Sequence, residues 1–283
     1  MSILQEIQAG ADLKSYTIPQ LEQLCAEIRE ELLRVVPRNG GHLSSNLGAV
    51  ELTVALHYVY NLPTDKLLFD VGHQCYAHKM LTGRLDQFET LRRKDGLAGF
   101  PKPSESAYDA FGAGHSGTAI SAALGYARAA SIRGERYDCV ALVGDGSFMD
   151  GPGIEAFNDA GRSELPLVVV LNDNNMSISR NVGALSNYLN QLRSNSHTAS
   201  FLKKIPGIGM GLHDFVYTVK NSIKYLFVHG QFFEALGFTY LGPIDGHNLS
   251  MLIRTLTRAR NLERPVLVHA VTQKGHGYRP AEE

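Results

Sequence analysis

The sequence predicts an α/β fold in which a parallel β-sheet is covered by helices on both faces. Strand-like segments alternate with helical segments along most of the chain, which is the pattern of parallel strands joined by helices. The strand-like segments, such as 139–143 and 167–171, are continuous apolar runs, as expected for strands buried on both faces. We therefore expect one domain over residues 1–283. We also expect an insertion at about 183–229 that forms a mobile cover over a ligand site at the strand ends.

The spacing of apolar residues and turn signals predicts the elements in chain order. A capping pattern at Thr17 opens a helix that ends near Pro37. The further elements expected before the insertion are a helix at 50–60, a strand at 67–71, helices at 75–81 and 86–93, a loop at 94–114, a helix at 117–131, the strand at 139–143, a helix at 154–160 and the strand at 167–171. Those expected after it are a helix at 231–236, a strand at 238–241, a helix at 248–260 and a strand at 266–271.

Composition excludes several classes of protein. Of the 283 residues, 44% are hydrophobic and 8% are aromatic, which argues against disorder. The 27 basic and 28 acidic residues give a net charge of −1, so we expect neither a nucleic-acid partner nor a membrane partner. The chain has no membrane-length apolar run, and its three cysteines are widely spaced. Its first residues show no basic region followed by an apolar core, so we expect no secretory leader. These features favour a cytoplasmic protein with free thiols.

Polar and glycine-rich motifs follow the predicted strands. They are Gly72-His73, Gly144-Asp145-Gly146-Ser147, Asn172-Asp173-Asn174 and Lys274-Gly275-His276-Gly277-Tyr278. Ligands bind beyond the carboxyl ends of parallel strands, so we expect these motifs to meet in one site. A further motif, Gly114-His115-Ser116, opens a helix whose N-terminal amides can receive an anion.

Asp145 and Asn174 form the most informative pair. The glycines beside Asp145 let the backbone approach a diphosphate closely, and carboxylate and amide oxygens suit Mg²⁺. Gly-Asp-Gly is also a common turn sequence, and residues 172–175 are also an ordinary loop that ends a strand. The two buried strands, the spacing and the downstream asparagine together favour a site that holds Mg²⁺ and a diphosphate.

These motifs resemble a known family. Gly144-Asp145-Gly146 followed by Asn174 is similar to the thiamine diphosphate fingerprint of the transketolase group. Segments similar to 1-deoxy-D-xylulose-5-phosphate synthases are 40–48, 50–59, 70–74, 114–116, 171–179, 181–185, 242–247 and 274–278. The resemblance runs from about residue 17 to the end, with 186–229 weakly matched. It implies the diphosphate-binding fold of transketolases and a reaction that joins pyruvate to glyceraldehyde 3-phosphate with release of CO₂.

The resemblance also implies roles for single residues. The ligands of Mg²⁺ would be Asp145, the side chain of Asn174, which also contacts the cofactor, and the carbonyl of Met176. The other residues at the cofactor would be His73, Gly114, His115, Ser116, Gly146, Ser147, Lys274 and Tyr278. His42 would face the reacting carbon, and His42, His73 and His115 would be the catalytic residues that move protons near neutral pH. The cofactor supplies the difficult chemistry.

Ordinary structural roles compete with these assignments. His42, His73 and His115 each follow a glycine at a predicted turn, where a histidine can serve the turn alone. For His57 and His269 we expect packing with locally bonded rings, because both lie in apolar patterns. For His78 and His247 both kinds of role remain open. The sequence also departs from the family at 147–153, at Asn175 where glutamate is common, and at His276 where a basic residue is common.

The resemblance covers the diphosphate-binding part of the family. Family members continue into a pyrimidine-binding domain and a C-terminal domain, which carry the glutamate that activates the cofactor and the arginines that bind the substrate phosphate. We therefore expect this chain to be catalytically silent alone and to work as a homo-oligomer, with a second polypeptide that carries the pyrimidine-binding half, or in both ways. Its substrates would be pyruvate and an aldose phosphate. The alternatives are a subunit of a split transketolase that uses other ketose donors, and a cofactor-binding module without catalysis.

Overall fold

Five parallel strands form one sheet in the computed structural model, which describes residues 2–8, 10, 12–174, 183–202 and 230–282. The spatial order of the strands is β1-β2-β3-β5-β4. Their bounds are Lys66–Phe69 for β1, Cys139–Gly144 for β2, Leu167–Asp173 for β3, Thr239–Asp245 for β4 and Pro265–Val271 for β5. Every neighbouring pair is parallel, so the predicted parallel sheet is confirmed.

Helices connect and cover these strands. Their bounds are α1 Ile3–Gln8, α2 Ile18–Asn39, α3 Leu43–Leu47, α4 Val50–Val59, α5 Tyr76–Lys79, α6 Ala119–Arg133, α7 Asp145–Phe148, α8 Gly151–Arg162, α9 Ala184–Leu202, α10 Gln231–Ala235, α11 Leu249–Arg260 and α12 Arg279–Glu282. None of the described helices is long and apolar enough to cross a membrane.

Strand side chains point alternately into two hydrophobic cores. In β2, Val140 and Leu142 join the core formed with α2, α4 and α11. Their neighbours Ala141 and Val143 join the core formed with α6, α8 and α10. Because successive strand residues face opposite sides, a continuous apolar run fills both cores at once. The prediction of helices on both faces is therefore confirmed.

Some predicted elements differ from the structure because glycine and tertiary contacts override periodicity. The helix expected at 86–93 is wrong, since only a 3₁₀ turn forms there, at Phe88–Thr90. The helix expected at 75–81 is α5 followed by a π turn, Met80–Arg84, in which Gly83 has φ = +80°. Helix α2 runs past Pro37 to Asn39, because proline in the last turn does not prevent two further helical residues. Within the insertion, 184–202 is helical, and residues 203–229 lie outside the described residues.

A buried polar network ties the loop at 94–114 to the rest of the fold. The Asp109 carboxylate accepts two hydrogen bonds from the Arg84 guanidinium, at 2.7 and 2.9 Å, and lies 3.0 Å from Nε2 of His78. Nδ1 of His78 lies 2.9 Å from Nε2 of His57. The His57 ring is locally bonded as expected, and His78 holds the loop in place. Phe100 of this loop packs 6.1 Å from the His42 ring, centroid to centroid.

This network makes the stability of the fold sensitive to acid. Burial lowers the pKa of His78 and lowers that of His57 well below its usual value of 6.5. The unfolded chain therefore binds protons that the folded chain excludes. The free energy of unfolding is at its full value above about pH 6.5 and falls below it, by about 1.4 kcal/mol per pH unit for each excluded proton. Urea unfolding at about pH 7.5 and about pH 5.5 measures this loss.

The matched comparison replaces one histidine of the network and one outside it. His57→Leu removes one excluded proton, so its loss of stability between the two pH values should be smaller than that of the parent. His115→Gln changes an exposed histidine and should leave the loss unchanged. Equal losses in the parent and in His57→Leu would show that burial of His57 does not contribute.

Candidate active site

The carboxyl ends of β2 and β3 bring Asp145 and Asn174 to the same edge of the sheet. Gly144 pairs with Asn172 in the parallel register, and Asp145 follows Gly144 directly. The Asp145 carboxylate is buried, and its Oδ1 accepts a hydrogen bond from the Gly146 amide at 2.9 Å. Two residues with oxygen ligands thus follow adjacent strands, as the sequence predicts. Parallel pairing brings the strand ends to one edge of the sheet, although the two residues are far apart along the chain.

A pair of neutral histidines forms part of the same end of the fold. The rings of His42, which precedes α3, and His73, which follows β1, lie edge to face with centroids 5.5 Å apart. Nδ1 of each ring is buried and has no hydrogen-bond partner among the described residues. Burial lowers both pKa values, that of His73 to about 4, and the nearby Lys274 ammonium lowers them further. Both rings are therefore neutral at pH 7 and can pair with a ligand.

A cavity of about 730 Å³ opens between α3 and the segment that follows β5. Its lining residues come from three distant parts of the chain: Gly41, His42, Leu43, Ser44, Ser45, Asn174, Thr272, Gln273, Lys274, Ala281 and Glu282. The amide of Gly275 donates to the carbonyl of Ser44 at 2.8 Å, and a Cβ at Gly48 would lie 2.7 Å from the carbonyl oxygen of Gln273. The two walls are therefore held in direct backbone contact.

Asp70, at the end of β1, positions the glycine-rich loop that precedes α6. Its two carboxylate oxygens accept hydrogen bonds from the amides of Gly117 and Ala119, both at 2.9 Å, and the residue is 1% exposed. These amides belong to the start of a helix, where backbone donors lack intrahelical partners. Sequence reasoning gave Asp70 no role. The sequence signal that could have found Asp70 is an acidic residue at a predicted strand end, in a chain that also has a helix start whose backbone donors need an acceptor.

Buried polar side chains also join the ends of β1, β3 and β5. Asn172 donates to Oε1 of Gln74 at 2.9 Å and accepts from the Thr272 hydroxyl at 2.5 Å. Next to it, the Asp173 carboxylate lies 2.9 Å from Nε2 of His269, whose Nδ1 lies 2.8 Å from the Tyr240 hydroxyl. The expected packing role of His269, with a locally bonded ring, agrees with these contacts. These contacts fix the strand ends next to Asn174.

A cluster that sequence reasoning did not assemble lies beside Gln273. Glu51, His247 and His276 place possible metal-ligand atoms within 4.8 Å of one another. Nε2 of His247 accepts the Gln273 amide at 2.8 Å, so the neutral ring carries its proton on Nδ1 and donates it to Glu51 at 3.0 Å. Glu51 also pairs with the Arg29 guanidinium at 2.5 Å. Both ring nitrogens of His247 and the Glu51 carboxylate are thus hydrogen-bonded or ion-paired. His247 therefore has a structural role at the cavity wall.

The structure brings some of the predicted site residues together and leaves others apart. His42, Asn174 and Lys274 line one cavity, and the His73 ring packs against His42. The remaining described residues lie outside this cavity. Gly146 and Ser147 are in α7, and Gly114, His115 and Ser116 are in the exposed loop held by Asp70. Tyr278 is 37% exposed. Met176 lies outside the described residues.

Comparison with a family model and comparison with known proteins identify the same family. The chain matches the model of the family 1-deoxy-D-xylulose-5-phosphate synthase over residues 4–272. It is 51% identical to the 1-deoxy-D-xylulose-5-phosphate synthases of Caldanaerobacter subterraneus and Desulforudis audaxviator, with 99% and 100% of this chain aligned. The chain spans 46% of the length of each of these relatives.

Solved structures share the fold at lower sequence identity. The transketolase of Campylobacter jejuni superimposes with a TM-score of 0.69 at 23% identity, covering 93% of this chain and 39% of that protein. The transketolase of Leishmania mexicana gives a TM-score of 0.66 at 20% identity, covering 91% of this chain and 37% of that protein. The expected diphosphate-domain fold of transketolases is therefore confirmed.

The two hydrogen bonds of Asp70 predict a local role in holding the loop. Asp70→Ala leaves the Gly117 and Ala119 amides without their buried acceptor, which should lower the free energy of unfolding by about 1–3 kcal/mol. Hydrogen exchange at Gly117 and Ala119 should become much faster than in the parent. The matched control is Asp12→Ala, which removes an exposed aspartate that accepts from the Lys14 amide at 3.0 Å. Unchanged exchange at both amides in Asp70→Ala would contradict this role.

Proposed function

The chain belongs to the 1-deoxy-D-xylulose-5-phosphate synthase family, and we propose on that basis that it forms the diphosphate- and Mg²⁺-binding half of a thiamine diphosphate site. The whole protein would join pyruvate to glyceraldehyde 3-phosphate with loss of CO₂. The observation that carries this proposal is the placement of buried Asp145 and of Asn174 directly after adjacent parallel strands. In the proposed complex, Asp145 and Asn174 hold Mg²⁺, with the Met176 carbonyl as the third protein ligand implied by the family resemblance.

The residues present suit this group. A carboxylate and an amide oxygen are hard ligands of the kind Mg²⁺ binds together with phosphate oxygens. A Cβ at Gly144 would meet nothing within 4 Å, so there is open space beside the backbone just before Asp145. The metal would offset part of the negative charge of a diphosphate. Nδ1 of His42 and of His73, without partners among the described residues, gives a bound ligand two polar atoms to contact.

Each further residue has a proposed task. When bound, thiamine diphosphate supplies the chemistry that decarboxylates a 2-oxo acid and transfers the remaining fragment. The neutral rings of His42 and His73 exchange a proton with the substrate at Nδ1, and Lys274 orients an anionic substrate group in the shared cavity. The contacts proposed for the cofactor are those of His73, Gly114, His115, Ser116, Gly146, Ser147, Asn174, Lys274 and Tyr278, with His115 as a third proton carrier.

The surroundings proposed for the chain follow from the same assignment. Its substrates are pyruvate and an aldose phosphate, and it acts as a homo-oligomer or with a polypeptide that carries the pyrimidine-binding half. Cys25, Cys75 and Cys139 are free and buried, which suits a reducing compartment. We therefore place the protein in the cytoplasm.

The metal role of Asp145 is tested by removing its charge without changing its shape. Asp145→Asn keeps an oxygen for the Gly146 amide but weakens the Mg²⁺ site. Calorimetry should show that Mg²⁺-dependent affinity for thiamine diphosphate falls by about 100-fold or more, since even residues that only support metal ligands contribute about 10–100-fold. The free energy of unfolding should change little.

The matched control is an acidic residue away from the site. Asp159→Asn alters an exposed aspartate in α8 that pairs with Arg128 at 2.8 Å, and its cofactor affinity should equal that of the parent. Equal affinities in Asp145→Asn and the parent would overturn the metal assignment.

The division of the site predicts that residues 1–283 bind the cofactor without turnover. The family resemblance places the cofactor-activating glutamate and the arginines for the substrate phosphate in other domains of family members. Release of CO₂ from pyruvate should therefore be absent with this chain, thiamine diphosphate and Mg²⁺, and should begin when the pyrimidine-binding half of a family member is added. Turnover by the chain alone, proportional to its concentration and lost in Asp145→Asn, would show that the division is wrong.

A further inference from the structure

One buried amide connects the backbones of the two site histidines. Asn46, in α3, is 1% exposed. Its Nδ2 donates hydrogen bonds to the carbonyl oxygens of both His42 and His73, each at 2.8 Å, and its Oδ1 accepts the Tyr76 amide at 2.9 Å. Both N–H groups and the oxygen of this side chain are therefore used, and all three partners are backbone atoms.

These bonds join two segments that arrive from different parts of the fold. His42 lies in the turn between α2 and α3, whereas His73 lies in the loop between β1 and α5. The His42 amide also approaches the Tyr76 hydroxyl, at the longer distance of 3.4 Å. The separation of the two backbones is therefore set mainly by the short bonds of Asn46, because each backbone is held to the same planar amide.

We propose that Asn46 is a positioning residue, which fixes the separation and facing of the His42 and His73 rings and so shapes the place where one ligand group meets both. The positioning is a property of this chain itself. Its consequence for catalysis rests on the function proposed above.

The residue type matters at this position. Only a side-chain amide of this length can donate two hydrogen bonds from one nitrogen while its oxygen accepts a third. Alanine leaves the His73 carbonyl and the Tyr76 amide without these partners, whereas the His42 carbonyl keeps only the backbone amide of residue 46, at 3.2 Å. Buried groups that lose a partner are satisfied by admitting water or by moving apart. The first response hydrates the His73 ring, and the second moves it from His42. Both changes act against the causes that hold the pKa of His73 at about 4, which are burial first and then the neighbouring His42.

The test is an NMR titration of the imidazole protons in the full chain. In Asn46→Ala the titration midpoint of His73 should rise by about one pH unit or more towards the ordinary value, and that of His42 should rise as well. The charged neighbours that influence these rings, Arg92 and Lys274, are unchanged by the substitution. Midpoints equal to those of the parent would overturn the proposal.

Asn39 offers a matched control. Its Nδ2 also donates to two backbone carbonyls, those of Glu89 at 2.8 Å and Leu91 at 3.1 Å. Asn39→Ala therefore removes the same kind of bridge from a place that joins neither histidine. Both midpoints should stay at their parental values in this variant. Equal shifts in both variants would show a general loosening of the fold and would also overturn the proposal.

A second variant covers the case in which Asn46→Ala does not fold. Asn46→Asp has the same size and keeps the acceptor for the Tyr76 amide, but it loses both donors. The nuclear Overhauser effect between the His42 and His73 ring protons, expected in the parent from the 5.5 Å centroid distance, should disappear in Asn46→Asp and remain in Asn39→Asp. Its persistence in Asn46→Asp would count against positioning.

Calorimetry with thiamine diphosphate and Mg²⁺ separates this proposal from the function on which its consequence rests. Shifted midpoints in Asn46→Ala, together with no cofactor binding by the parent, would refute the proposed function and support the positioning role. Activity can be measured once the pyrimidine-binding half of a family member has been added to this chain. Under those conditions Asn46→Ala should lower kcat by about 10-fold or more with a smaller change in KM, because misplaced proton carriers act on the chemical step.

Discussion

Parallel pairing of the strands is the constraint on which the rest of the site depends. Because all five strands run in the same direction, their carboxyl ends meet at one edge of the sheet. The register that pairs Gly144 with Asn172 places Asp145 and Asn174, which directly follow β2 and β3, at neighbouring strand ends. Two cores bury both faces of this sheet, so its position is rigid. The chemistry assigned to the loops inherits that rigidity.

Loops at this edge are held by buried polar side chains that bind backbone or one another. Asp70 holds the start of α6, Asn46 holds two histidine segments, and Asn172 joins Gln74 to Thr272. Each such bond contributes only about 1 kcal/mol to stability on balance. Such a bond nevertheless restricts geometry, because a side chain with several fixed partners admits one arrangement of the segments it joins. The site is therefore built from weak interactions that specify position.

The sequence predicts the fold well because buried parallel strands leave a direct record, as in the apolar runs of β2 and β3. It predicts the placement of Asp145 and Asn174 because strand ends and register follow from that fold. The role of His78 could not be predicted, since its partner Asp109 approaches only in the folded chain. Asn46 lies in a turn-rich segment where asparagine is common, so nothing in the sequence distinguishes its three hydrogen bonds.

The backbone contact at Gly48 limits how the cavity can be remodelled. A single methyl group there would press on the Gln273 carbonyl, and Gln273 and Lys274 line the opposite wall. For a protein engineer, position 48 is thus a spacer whose size sets the width of the cleft. Enlarging it by one carbon would displace the lysine-bearing wall through contact with the Gln273 carbonyl, without changing any side chain of the site. Any side chain at position 48 therefore has to be accommodated by a shift of the segment that carries Gln273 and Lys274.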